Sequence, residues 1–157
     1  MTRSSSATSL LLVDDEIEFT EIMAQRLHKR GFPITTATEG ATALRRLEEH
    51  AIDVVILDVA MPGMNGIDIL NAIGERQPLV EVIMLTGQAT VGTAVEAIRH
   101  GAFNYLKKPC EIEDLIAQID SAMDRRMERQ KKVLEVRMTP YLSPERRAEM
   151  ISAILKS

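Results

Sequence analysis

Five side chains stand at or just past the ends of short, mostly apolar runs, and their types suit one kind of chemistry. Asp14 and Asp15 follow Leu-Leu-Leu-Val, Asp58 follows Val-Val-Ile-Leu, Thr86 follows Val-Ile-Met-Leu, and Lys108 ends Tyr-Leu-Lys-Lys. Taken singly, each has an ordinary reading. Acids ahead of a helix cap it and complement its dipole, and a strand-end hydroxyl or a solvated lysine needs no function. Taken together they differ, because three carboxylates against one ammonium leave excess negative charge. Like charges a few ångströms apart oppose folding unless something neutralises them. A hard divalent cation with oxygen ligands does so, and Mg²⁺ suits a site of few carboxylates and several waters. Such a site favours phosphoryl transfer, with the cation and Lys108 neutralising charge and Thr86 donating a hydrogen bond. An aspartate can itself be the nucleophile, giving an aspartyl phosphate.

The elements that must gather these residues are legible in the periodicity. Ser9–Val13, Ile34–Ala37, Asp53–Asp58, Val82–Thr86 and Phe103–Leu106 read as strands. Between them run helical stripes: Phe19, Ile22, Met23 and Leu27; Ala41, Leu44 and Leu47; Ile67, Leu70 and Ile73; Val91, Val95 and Ile98. Gly31, Gly40, Pro62-Gly63, Pro78, Gly87 and Gly101 punctuate them. Alternation of this kind implies right-handed crossovers and a parallel sheet covered on both faces. The expected fold is α/β, a flavodoxin-like (βα)5 doubly wound parallel sheet in the order 2-1-3-4-5. In such a sheet the site lies outside the carboxyl ends of the strands, which is where all five residues fall.

Beyond the fifth strand the pattern overruns the domain. From Ile112 a stripe continues through Ile116, Ile119, Met123, Met127 and Leu134, interrupted only by Gln130. At about 1.5 Å per residue a helix from Glu111 to Arg137 is roughly 40 Å long, more than a small sheet can cover. Thr139-Pro140 should end it. Ser143-Pro144-Glu145 reads as the cap, first-turn proline and first-turn acid of an extra C-terminal helix, with Ala148, Ile151, Ile154 and Leu155 as its stripe. The domain plan is a disordered N-terminus over 1–8, a main domain over 9–123 and a helical extension over 124–157.

Composition narrows the function classes. The chain has 157 residues and a net charge of −4, with one cysteine. Residues 1–120 carry 10 basic and 18 acidic side chains, and 121–157 carry 9 basic and 5 acidic. A body this acidic repels a polyanion, and the tail is too short for a DNA-binding domain with its own core, which argues against nucleic acid. No run reaches the roughly 18–20 apolar residues of a membrane helix, and a lone cysteine forms no internal disulfide, so a cytoplasmic protein is expected. His28, His50 and His100 lie near helix ends with no metal-ligand spacing. Cys110 reads as an inert packed thiol rather than an activated one.

In combination, the motifs resemble those of a response-regulator receiver domain of two-component signalling. They are Leu-Leu-Val-Asp-Asp-Glu at 11–16, Val-Ile-Leu-Asp-Val-Ala-Met-Pro-Gly-Met-Asn-Gly at 55–66, Met-Leu-Thr-Gly at 84–87 and Tyr-Leu-Lys-Lys-Pro at 105–109. The resemblance runs from about Leu10 to about Met123. It implies that Asp58 is the phosphoacceptor. It implies that Asp15, Asp58 and the carbonyl of Ala60 bind Mg²⁺, with Asp14 acting partly through water. Thr86 would contact the phosphoryl group, Lys108 rather than Lys107 would be its charged partner, Tyr105 matches the aromatic switch position, and Pro109 matches a proline that is usually cis. Two positions depart from the pattern: Cys110 stands where Phe is usual, and Gly87 where Ala or Ser is frequent.

The expectation is therefore a phosphorylation-dependent switch rather than an enzyme, with at most slow self-phosphorylation and self-dephosphorylation. It would take a phosphoryl group from a sensor histidine kinase or a phosphotransfer protein and alter protein–protein contacts with a downstream target. Ala89–Phe103 resembles helix four of receivers that control bacterial enhancer-type transcription factors, yet no ATPase or DNA-binding segment follows, so a stand-alone receiver is expected. The exposed stripe of the extension suggests a homodimer. Two rivals are a Mg²⁺-dependent phosphatase with an Asp nucleophile and a vestigial receiver-like scaffold. The phosphatase would want a second acid two residues after the nucleophile, where this chain has Ala60.

Overall fold

The computed structural model describes residues 8–61 and 64–157. Five parallel strands form the sheet: β1 (Leu10–Val13), β2 (Ile34–Ala37), β3 (Val54–Leu57), β4 (Glu81–Thr86) and β5 (Asn104–Lys107). Their order is 2-1-3-4-5, as expected. The registers are straight, with Leu10 opposite Ile34 on one side and opposite Val54 on the other. β1, β3 and β4 are buried along their whole length, because helices cover both faces. Side chains alternate between two cores: Leu11, Val13, Val55 and Leu57 point to one, and Leu10, Leu12, Val54 and Ile56 to the other.

The helices are α1 (Ile17–Lys29), α2 (Gly40–Glu49), α3 (Gly66–Arg76), α4 (Val91–Arg99), α5 (Ile112–Met138) and α6 (Pro144–Lys156). Ser143 caps α6 by accepting a hydrogen bond from the Arg146 amide at 3.1 Å, with Pro144 in the first turn. Between β3 and α3, Ala60–Met61 pairs antiparallel with Met64–Asn65. Residues 1–7 of the expected disordered segment lie outside the described residues, and Thr8 is buried.

Four stripes require correction, the first being that of α2, where Ala41 is exposed and Ala43 is buried with Leu47. Val91, Val95 and Ile98 of α4 do not face the core: they are 83%, 51% and 48% exposed, and Ala97 is the buried residue. In α1, Met23 and Leu27 are buried together with Thr20, while Ile22 is exposed. In α5, Ile119 and Met123 are buried, but Met127 and Leu134 are exposed, and Arg129, Val133 and Val136 take over the buried face. The reason is the same throughout: a 3.6-residue period shows that an apolar face exists, not which neighbour covers it.

Leu115, Ile119 and Ala122 seat the first half of α5 in the core, and charge holds its next turns. Glu81, 1% exposed at the start of β4, accepts a hydrogen bond from the Arg129 guanidinium at 2.8 Å and lies 3.4 Å from Arg125. Arg126 donates to Asp53 at 3.1 Å, and Asp53 also accepts from the Ser9 amide. Arg129 and Arg125 then bond the Leu155 and Ser157 carbonyls, so α6 folds back along α5.

Candidate functional site

Asp14, Asp58 and Lys108 each leave the sheet one residue after a strand ends, and the ladder still holds their backbones, while Thr86 is the last residue of β4. The Asp14 amide donates to Ala37, the Asp58 amide to Val13, and the Lys108 amide to Thr86, at 3.1, 3.0 and 2.8 Å. Fixing the main chain in this way fixes where the side chains start. Below Asp58 the chain turns into α3 at Gly66, where a Cβ would stand 2.6 Å from the Val59 Cα and 2.9 Å from the Asp58 carbonyl oxygen. Only glycine permits so close an approach, so the turn is set by sequence. Thr20 ties down the first acidic loop by donating to the carbonyls of Asp14 and Glu16. The Lys108–Pro109 peptide is cis, as the resemblance implied.

The Lys108 ammonium is the hub. It donates to Asp14 Oδ2 and to Glu16 Oε1 at 3.0 Å, and Asp58 Oδ2 lies 3.8 Å away. The Phe19 ring of α1 lies beneath it, 4.1 Å from Nζ to the ring centre. Asp14 and Asp58 are buried, so their charges are poorly solvated. Burial pushes the Asp14 carboxyl up, and its bonds to Lys108 and the Glu16 amide only partly offset this. For Lys108 burial acts downward, but the hydrogen bonds to Asp14 and Glu16 outweigh it and hold the ammonium above its ordinary range.

One oxygen each from Asp14, Glu16 and Asp58 lies within 4.8 Å of the others, a set of hard donors that suits a divalent cation. Sequence reasoning named Asp15 and passed over Glu16. Asp15 is half-buried and stands outside this trio, whereas Glu16 reaches Lys108. Phe19 was read only as core. Neither role has a local signal, since both depend on Lys108, which lies 92 residues along the chain from Glu16.

Thr86 is buried at the end of β4, its hydroxyl accepting from the Gln88 amide at 3.2 Å. Tyr105 reaches from β5 to α4, where its hydroxyl lies 2.6 Å from that of Thr93. Thr93 also completes a capping box with Thr90 at the start of α4. The three histidines sit at helix C-termini, and His100 bonds Asn71 and Glu96. The Cys110 thiol is pushed up by burial and by Asp114 and Glu111, consistent with an inert role.

The sequence pattern of the response regulator receiver domain matches residues 10–120. The DNA-binding transcriptional regulator NtrC of Escherichia coli (strain K12) is 34% identical over 119 residues, covering 76% of this chain and 25% of that protein. This chain thus spans about a quarter of the length of such relatives. Among solved structures, a response regulator receiver domain protein from Clostridium thermocellum is 36% identical with a TM-score of 0.73, over 77% of this chain and 98% of that one. The beryllofluoride-activated NtrC4 receiver domain dimer is 34% identical with a TM-score of 0.71, over 75% and 98%. With its acidic pocket at the carboxyl edge of a 2-1-3-4-5 sheet and a family match across most of its length, this chain belongs to the response-regulator receiver family.

Proposed function

We propose that this chain is a switch whose Asp58 accepts a phosphoryl group from the phosphohistidine of a sensor kinase or phosphotransfer protein. The observation that carries the reading is the gathering of Asp14, Glu16 and Asp58 around Lys108. In the transfer, an Asp58 carboxylate oxygen attacks phosphorus, the P–N bond breaks with its electron pair going to the imidazole, and an aspartyl phosphate forms. Lys108 sits where it can neutralise charge on the phosphoryl oxygens. Asp15, Asp58 and the Ala60 carbonyl would hold Mg²⁺, with Asp14 acting through water and Glu16 orienting Lys108. The cation would supply neutralisation of charge on the transferring group.

The same contacts suggest how the signal leaves the site. A phosphoryl group at Asp58 gives the Thr86 hydroxyl a charged acceptor in place of a role toward the Gln88 amide. Movement of Thr86 frees space for Tyr105 to turn inward, and turning inward breaks the 2.6 Å contact with Thr93 at the start of α4. The exposed Val91, Val95 and Ile98 stripe then changes its presentation to a protein target. We read residues 9–123 as the receiver unit and 124–157 as a helical extension. Among the described residues, no helix is long and apolar enough to cross a membrane. The acidic body favours a protein target over nucleic acid and fits a cytoplasmic setting.

The phosphatase reading has less support, because Ala60 offers no second acid beside the nucleophile. Acetyl phosphate with Mg²⁺ should add one phosphoryl group to the wild type and none to Asp58→Asn, read by intact mass. Equal labelling of the two proteins rejects Asp58 as acceptor.

A further inference from the structure

At the amino edge of the sheet, opposite Asp58, α6 closes over a gap that it does not fill. None of its residues is buried. Between it and the ends of α3 and α4 lies a cavity of about 900 Å³, within the range of small-molecule sites. Leu70, Ile73, Val80, Val82, Ile151 and Leu155 give it apolar walls. The charged groups on it are mostly cationic: Arg99, Arg125, Arg129 and Lys156, against Glu75 as the one acid that lines it.

Not all of that positive charge is committed. Arg125 and Arg129 share Glu81, whereas Arg99 and Lys156 have no ion-pair partner among the described residues. The Arg129 side chain is 8% exposed, and its Nε–H is buried without an acceptor although its other nitrogens bond Glu81, Leu79 and Leu155. A buried donor left unpaired is costly, which marks the Arg129 end of the cavity as electrostatically unsatisfied. Gly74 faces the same space from within α3, and a Cβ built there meets nothing within 4 Å outside its own helix. A glycine inside a helix weakens it, and no steric demand at this position requires one. Its effect here is to leave the cavity open.

We propose that this cavity is a second ligand site, taking a small amphipathic anion: an apolar body against the α3, β4 and α6 walls, with a carboxylate or sulfonate at the arginine–lysine rim. The apolar walls exclude a bare inorganic anion, and the cations select against a neutral lipid of the same size. The site is separate from the phosphoacceptor pocket, which occupies the other ends of the same strands.

Decanoate and decanol serve as probes, because they share an apolar chain and differ in charge. Titrated into the full chain and followed by amide chemical shifts, decanoate should bind at one site. The perturbed amides should include Val80, Gly101, Ile151 and Leu155. Decanol should bind at least about tenfold more weakly, since an ionic hydrogen-bonded contact is worth more than a neutral one. The double variant Arg99→Gln/Lys156→Gln should lose about tenfold for decanoate and keep decanol unchanged. Gly74→Leu fills the space from a helix it also favours, and should abolish binding of both probes while Asp58 labelling stays normal. Equal binding of the two probes overturns the anionic class. Binding that survives Gly74→Leu, or shifts elsewhere on the surface, overturns the site.

Discussion

The pocket around Lys108 is held in tension by its own charges. Asp14 is buried, and the fold favours its neutral form, since burial raises its carboxyl. Asparagine imitates that neutral form, so Asp14→Asn in metal-free buffer at neutral pH should melt no lower than wild type in calorimetry. The variant should lose most of the gain that Mg²⁺ gives the wild type. At a hundred times its dissociation constant, a cation bound only by the native state adds about 2.7 kcal/mol. Asp15→Asn and Glu16→Gln separate two ligand sets. A cation held by Asp15, Asp58 and the Ala60 carbonyl gives the larger loss of Mg²⁺ stabilisation in Asp15→Asn, whereas a loss confined to Glu16→Gln moves the cation to the Asp14, Glu16 and Asp58 trio. Thr86→Ala should still be labelled at Asp58 yet respond weakly in a partner-binding assay, because the acceptor charge then has no hydroxyl to pull. A full response in that variant breaks the proposed link.

At the scale of elements, the Glu81–Arg129–Arg125 cluster shows what can be read from sequence and what cannot. β1 and β3 are legible because every residue is apolar, and Asp14, Asp58, Thr86 and Lys108 are legible as candidates because they stand at strand ends, whereas Glu16 and Phe19 are not. Glu81 opens an otherwise apolar strand with a charge, and its meaning depends on an arginine 48 residues later. The outward stripe of α4 misled for a related reason: Ala97 and the turn around Gly101 carry the packing, and the valines remain outside. Burial raises the Glu81 carboxyl, with the three nearby arginines opposing it. A raised native pKa means that the native state holds its proton longer than the unfolded chain does. Measured against Glu81→Gln, which cannot titrate, the wild type should therefore lose relative stability as pH rises from about 4.5 through the native value. Glu81→Ala, which strands two arginine charges, should cost about 3–5 kcal/mol by denaturant unfolding. A cost below about 1 kcal/mol would mean that α5 and α6 dock without the cluster.

For the whole molecule, the extension has two apolar faces and only one is covered. Folding back of α6 accounts for Val133 and Val136, which are buried. Met127, Leu134 and Met138 lie on the other side of α5, 50%, 55% and 75% exposed, at spacings of seven and four residues. That spacing is a heptad seam, and pairing with a second copy would bury it around a two-fold axis without disturbing α6. Pairing recovers only the still-exposed share of the roughly 1.5–3 kcal/mol that full burial of a large apolar side chain gives, and three such side chains on one stripe favour a homodimer. Asp58 is at the far end of the sheet from this seam, so phosphorylation should tune the association rather than create it. Light scattering at concentrations on the order of tens of micromolar should give a dimer for the full chain and a monomer for Leu134→Glu, which places a charge in the seam. If wild type and variant are both monomers, with and without acetyl phosphate, the stripe is a contact for a different protein and the dimer is excluded.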